Sequence, residues 1–249
     1  MTISPNNHLS IAILPLGATE QHGNHLPPET DTMIAEGVAA RVRGLLPSGF
    51  PARFLPAEPI GYSIEHLDDP RTRSLGYDEA IRKWIGIGQA QHEQGVRKLV
   101  FLNAHGGNAP LMTIAATEMR VRFGMLAVAT SWTRFIPPGM VSEHEKAFGI
   151  HGGQIETSVM LALHPDQVDM ALAGDFASRQ EDHVREFTHL RAYGPHAYGW
   201  KMSDLNPKGV TGNAGAASAE LGEKLLDRAA AGFAELLEDV ALFDLASFR

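Results

Sequence analysis

Three short runs of apolar residues constrain this chain more than any other feature: Ser10 to Leu16 (SIAILPL), Lys98 to Asn103 (KLVFLN) and Met125 to Thr130 (MLAVAT). A strand with one wet face alternates apolar and polar residues, whereas a run without alternation has both faces covered. Elsewhere the apolar period becomes that of a helix. Asp31 to Leu46 carries Met33, Ile34, Val38, Val42 and Leu45 at helical spacing, and Pro47 stops it. Tyr77 to Gly95, Ala109 to Phe123, Gly153 to Leu163 and Ala216 to Phe243 also read as helices. Buried strands alternating with helices predict an α/β chain whose mostly parallel sheet is covered on both faces. Residues 175–215 mix Gly, Pro, His and aromatic residues and read as loops near an opening. With no repeat, low-complexity tract or clear linker, residues 1–249 read as a single domain.

With 44% hydrophobic and 20% charged residues, 249 residues suffice for a sizeable core. The net charge of -8, without clusters of Lys and Arg among aromatics, argues against a nucleic-acid partner. There is no cysteine, which excludes disulfides, thiolate metal sites and a cysteine nucleophile, and suits a reducing compartment. The opening MTISPNNHLS lacks a basic region, and Ile11 to Leu16 is too short for a signal peptide or a membrane span. The expectation is a soluble cytoplasmic protein without a membrane partner.

Ligands of such sheets gather beyond the carboxyl ends of the strands, where three dense polar segments lie. The first, ATEQHGNHLPPETD, holds Glu20, Gln21, His22 and Asp31. In extended chain Glu20 and His22 point to one side, and the turn at Pro27 and Pro28 returns Asp31 toward them. The second, NAHGGN, places His105 between Asn103 and Asn108. The third, HGGQIETS, opens a helix, and its His151 and Glu156 share a site only if His151 precedes the first helical turn.

Glu20, Asp31 and Glu156 cannot all ionise cheaply in a partly buried site. Two divalent cations change the balance: their four positive charges exceed the three carboxylates by one, which a bridging hydroxide cancels. Carboxylates and imidazoles without thiolate fit Zn, Mn or Fe. Asp31, with two oxygens, is the natural bridge. Each residue alone has a simpler use, since single histidines and carboxylates mostly serve packing or solvation; His25, His66, His144 and His196 are assigned there. Trp132, Trp200 and Tyr198 are candidate pocket walls, although packing is the commoner use. No G-x-S-x-G elbow, P-loop or H-E-x-x-H occurs.

The stretches LPLGATEQHGNHLPPETD, FLNAHGGN and HGGQIETS, with GYSIEH and GVTGNAGAASAELGE, make the chain resemble the creatininase (creatinine amidohydrolase) family over residues 10–225. The resemblance implies a three-layer α/β/α sandwich, two divalent metal ions per subunit and hydrolysis of a non-peptide C–N bond, commonly in a cyclic or formyl amide. By position it makes Glu20, His22, Asp31, His105 and Glu156 metal ligands, with Asp31 bridging, and His151 the residue that handles a proton. It also implies a homo-oligomer, a hexamer in many members. Creatininase proper is similar to a pattern with Tyr and Glu where this chain has Gly106 and Gly107, which turns the expectation from creatinine toward the wider family, including formamidopyrimidine deformylases and peptide-trimming relatives.

The expected reaction is attack on a small-molecule amide by a hydroxide activated between the two ions. His151 protonates the leaving nitrogen, and Glu156 takes part in the catalytic centre as well as in metal binding. Gln21, Asn103 and Asn108 are expected to hold the ligands in orientation. A peptide-processing hydrolase and a non-catalytic metal-binding assembly subunit are the rival readings.

Overall fold

A computed structural model describes residues 10–248. The stretch bearing on a leader lies outside these residues, Ser10 excepted, as do the two ends of the 1–249 domain expectation. The elements run β1 (Ile11–Leu16), α1 (Thr30–Leu45), β2 (Ala52–Phe54), α2 (Tyr77–Glu93), β3 (Lys98–Asn103), α3 (Ala109–Phe123), β4 (Leu126–Ser131), α4 (Glu143–Phe148) and α5 (Gln154–Leu163). Then follow β5 (Asp175–Phe176), α6 (Gln180–Glu186), α7 (Met202–Leu205), β6 (Gly212–Asn213) and α8 (Ala219–Leu242). The main sheet is parallel throughout, in the order β2-β1-β3-β4.

The continuous apolar runs serve two cores at once. From β1 and β3, Ile11, Ile13, Val100 and Leu102 pack with α1, α5 and α8. Ala12, Leu14, Leu16, Leu99 and Phe101 point the other way, into a core with Trp84 of α2 and Met112 and Met119 of α3. Helices thus cover both faces, giving an α/β/α arrangement. Fully burying each large apolar side chain stabilises by roughly 1.5–3 kcal/mol. The long helix α8 buries Leu225, Leu226, Ala229, Phe233, Leu237 and Val240, one stripe at helical spacing, and Ser218 caps its start by accepting from the Leu221 N–H. Lys98, buried at the start of β3, donates to the carbonyls of Val240 and Ala241 at the end of that helix.

The differences from the sequence expectation are local. The edge strand β2 has only three residues, too few for a period to show. Residues 175–215, read as loops, also contain α6, α7 and the two-stranded β5-β6 ribbon. The sheet order reverses direction between β1 and β3, which leaves a crevice beyond their carboxyl ends.

The α5–α8 packing gives a pair of opposed expectations. A Cβ at Gly222 would collide with the Ser158 carbonyl oxygen, whereas one at Gly44, in α1, meets nothing within 4 Å. Gly222→Ala should therefore lower stability by about 1–3 kcal/mol, while Gly44→Ala raises it by about 0.5–1 kcal/mol. Thermal unfolding of the two variants reads both signs.

Candidate metal centre

Glu20 and His22 leave β1 on a loop whose return is fixed by backbone bonds: the Glu20 N–H donates to Pro28 O and the Thr30 N–H to Pro27 O. That turn sets Asp31 in the first turn of α1, where helix N-terminal N–H groups favour a negative charge. His105 follows β3 in extended backbone before a short turn at Gly106–Asn108. His151 precedes α5, and Glu156 lies in its first turn. Glu20, His22, Asp31, His105 and His151 are all buried, and Glu156 is half-buried.

The six side chains converge. His105 Nδ1 lies 3.1 Å from Glu20 Oε1 and 3.4 Å from Asp31 Oδ2. His22 Nε2 lies 3.3 Å from Asp31 Oδ1 and 3.8 Å from Glu156 Oε2. The two oxygens of Asp31 thus face two different histidines. Ligand atoms of Glu20, Asp31 and His105 all fall within 4.8 Å of one another, as do those of His22, His151 and Glu156. Glu20 and His22, expected on one side of the chain, go to different groups.

The outer nitrogens are anchored in a way that aims the inner ones. His22 Nδ1 donates to Glu20 O at 3.0 Å, His105 Nε2 to Tyr62 O at 2.8 Å and His151 Nε2 to Gln21 O at 2.5 Å. The other nitrogen of each ring then faces the carboxylates, as in metal-ligating histidines. Behind them, Asn103 donates to His105 O and accepts from the His105 N–H and from Asn108 Nδ2. Asn108 also donates to Gly17 O and accepts from the Tyr62 N–H. Of Gln21, it is the carbonyl that serves, not the side chain.

Supporting residues emerge that the sequence does not single out. Glu145 accepts from the Gln154 and Asn213 N–H groups, tying the loop before α5 in place. His25 Nε2 lies 3.0 Å from Gly152 O, while the Gly152 N–H donates to Glu156 Oε2. His66, assigned to packing from sequence, sits in the cluster, its Nε2 3.4 Å from Glu20 Oε1. Gly107 is required locally: a Cβ there would lie 2.5 Å from His105 Nε2 and 2.7 Å from Glu65 Oε1, so Glu65 fills the space beside His105. His144 and His196 remain at the surface. Trp132 packs in the core, Trp200 donates to Ala192 O, and the Tyr198 hydroxyl lies 2.6 Å from His183 Nδ1. The cavity beside Glu156, of roughly 330 Å³, is walled instead by aliphatic residues such as Ile136, Ile150 and Ile155, with Lys146 at its edge.

Electrostatics show what the cluster lacks. Burial opposes ionisation of Glu20, yet the facing His105, His66 and His151 hold its carboxyl well below the usual range. Burial likewise opposes charging of His22, but Asp31 outweighs it and pushes the imidazole up to about 9. Burial is outweighed again at His105, which Glu20 and Asp31 raise well above the ordinary value. Burial pushes Glu156 up to about 7 and, with His22 and His66, holds His151 well below its usual value. Buried atoms without a hydrogen-bond partner include both oxygens of Glu20, His22 Nε2 and Asp31 Oδ2. Such groups normally find partners, and here the unmet ones point at one another.

Residues 5–237 match the creatinine amidohydrolase family. The chain is 33% identical over 235 residues to the mycofactocin precursor peptide peptidase of Mycobacterium ulcerans (strain Agy99), covering 91% of this chain and 81% of that protein. It is 28% identical over 217 residues to the 2-amino-5-formylamino-6-ribosylaminopyrimidin-4(3H)-one 5'-monophosphate deformylase of Methanobrevibacter smithii, covering 81% of this chain and 88% of that protein. The solved structure "Creatininase Mn" superposes with a TM-score of 0.74 at 25% identity, over 94% of this chain and 92% of that one. A creatininase variant of the Zn-Zn type matches with the same figures.

His22 and His105 must each lose a proton before they ligate an ion. Calorimetric uptake of Zn²⁺ in buffers of different ionisation enthalpy should therefore show net proton release. Affinity should rise with pH toward about 9, where His22 deprotonates unaided. Uptake without proton release would contradict the assignment.

Proposed function

The chain belongs to the creatinine amidohydrolase family, hydrolases of C–N bonds, and from that premise we propose that it is a metal-dependent amidohydrolase acting on a small-molecule amide. The observation that carries the reading is the buried convergence of Glu20, His22, Asp31, His105, His151 and Glu156 beyond β1 and β3. The donor set fits divalent ions of the Zn, Mn or Fe type, and the unpartnered oxygens and nitrogen are those an ion would satisfy. Glu20, Asp31 and His105 would hold one ion, and His22, Asp31 and Glu156 the other, Asp31 offering one oxygen to each.

When bound, such ions supply Lewis acidity for an amide carbonyl and lower the pKa of water. The chain's own residues do the rest. The Gln21 carbonyl fixes the tautomer of His151, so Nδ1 is its one free nitrogen, able to take a proton and return it to the leaving amine. Asn103 and Asn108 hold the His105 loop against the end of β1. The largely aliphatic cavity beside Glu156 would receive the part of the substrate next to the scissile bond.

A cyclic or formyl amide is the first expectation for that bond. Hydrolysis of a short peptide is the second, favoured by the apolar walls with Lys146 at the edge and by likeness to a protein named a peptide peptidase. The reading also takes in a single domain, a homo-oligomer and a cytoplasmic site of action. Among the described residues, no helix is long and apolar enough to cross a membrane.

A screen of cyclic ureides, lactams, formamides and short peptides with Mn, Zn or Fe separates the two bond classes. Turnover in any of them should vanish on chelation and return with metal; absence of turnover across all metals and classes would leave the non-catalytic alternative. His151→Ala should keep the two tightly bound metal equivalents and lose about 10²–10⁴-fold in turnover. Unchanged turnover would remove His151 from the reaction.

A further inference from the structure

We propose that Glu20, His66 and His151 form a third, weaker cation position, which takes a transition-metal dication such as Zn²⁺ when that ion is in excess and blocks turnover when filled. The inhibitory part rests on the reading of His151 given above; the binding part does not.

His66 ends the single turn Ile64–His66 and is 3% exposed. Its Nε2 lies 3.4 Å from Glu20 Oε1, and His151 Nδ1 lies 3.5 Å from the same oxygen. The two imidazoles face each other with centroids 4.3 Å apart. One ligand atom from each of the three residues falls within 4.8 Å of the others, a third grouping that shares Glu20 with one of the two described above and His151 with the other.

Simple packing explains this poorly. Neither oxygen of Glu20 has a hydrogen-bond partner, and the imidazole atoms that face its Oε1 are His66 Nε2 and His151 Nδ1. A buried carboxylate left unsatisfied is costly, and it calls for a partner that the two facing imidazoles can share. A dication supplies it, accepting a lone pair from each imidazole and from one oxygen of Glu20. Two neutral nitrogens and a carboxylate oxygen, without thiolate, form an ordinary zinc donor set with open positions left for water.

The position is weaker for two reasons. It shares Glu20 with the Asp31–His105 group, and it adds positive charge where two ions already balance the carboxylates. Filling it also takes the last free nitrogen of His151, because Nε2 is committed to the Gln21 carbonyl. The ion therefore removes the proton donor rather than displacing the two working ions.

The test is equilibrium dialysis of the full chain against zinc chloride with elemental analysis, alongside turnover over the same zinc range. Wild type should take up one more equivalent at high zinc than His66→Ala or His66→Gln, and should alone lose turnover there. His66→Gln keeps a side chain of similar reach, and cooperative thermal unfolding verifies that each variant is folded. Equal uptake by wild type and a folded variant, or a wild type whose binding stops at two equivalents up to millimolar zinc, would overturn the proposal. Failure of the two-ion reading looks different, because Asp31→Ala would then keep every tight equivalent that wild type binds.

Discussion

Three carboxylates pressed into one dry crevice are the constraint on which the rest of this structure depends. Glu20 is fully buried, Asp31 nearly so, and Glu156 Oε2 lies 3.8 Å from His22 Nε2 beside them. Like charges so close, away from water, repel strongly and repay nothing unless cations join them. In the protein alone that role falls to His22 and His105, which the carboxylates hold in the charged form against the effect of burial. A fold optimised only for stability would place aliphatic side chains here. The arrangement makes sense as a cradle for divalent ions, with the imidazole protons leaving as metal arrives.

The scaffold delivers these groups through backbone geometry rather than through long flexible loops. Reversal of strand order between β1 and β3 opens the crevice, the proline turn brings Asp31 back to it, and α5 starts within reach of its opposite side. Each ligand is then held by a neighbour that is itself held. Asn103 and Asn108 lock the β3 loop to the end of β1, and Glu145 and His25 restrain the segment carrying His151 and Glu156. Removal of a holding residue would leave the donors present but misaimed, which metal sites tolerate poorly.

Much of this was legible in the sequence, for physical reasons that differ by element. The runs in β1 and β3 were readable because burial on both faces leaves no polar interruption, that in β4 because helices partly cover both sides of this edge strand, and α1, α2 and α8 because each shows an apolar stripe of helical period. β2 was not, since three residues of an edge strand carry no period. The ligand segments stood out through density of donors at strand ends. His66 did not, because a lone histidine in a short turn looks like any packed histidine, and only its distance from Glu20 and His151 distinguishes it. The pocket aromatics were ambiguous for a similar reason: Trp132 is a core residue, and the walls are aliphatic side chains that composition cannot tell from packing.

In the proposed two-ion centre Asp31 offers one oxygen to each cation, as its Oδ1 faces His22 and its Oδ2 faces His105. Anomalous X-ray diffraction at the manganese edge, from crystals grown with two equivalents of Mn²⁺ per chain, tests that claim directly. Two peaks flanking the Asp31 carboxylate are expected, one among Glu20 and His105 and the other among His22 and Glu156. A single peak, or peaks that leave Asp31 without a metal neighbour, would contradict it.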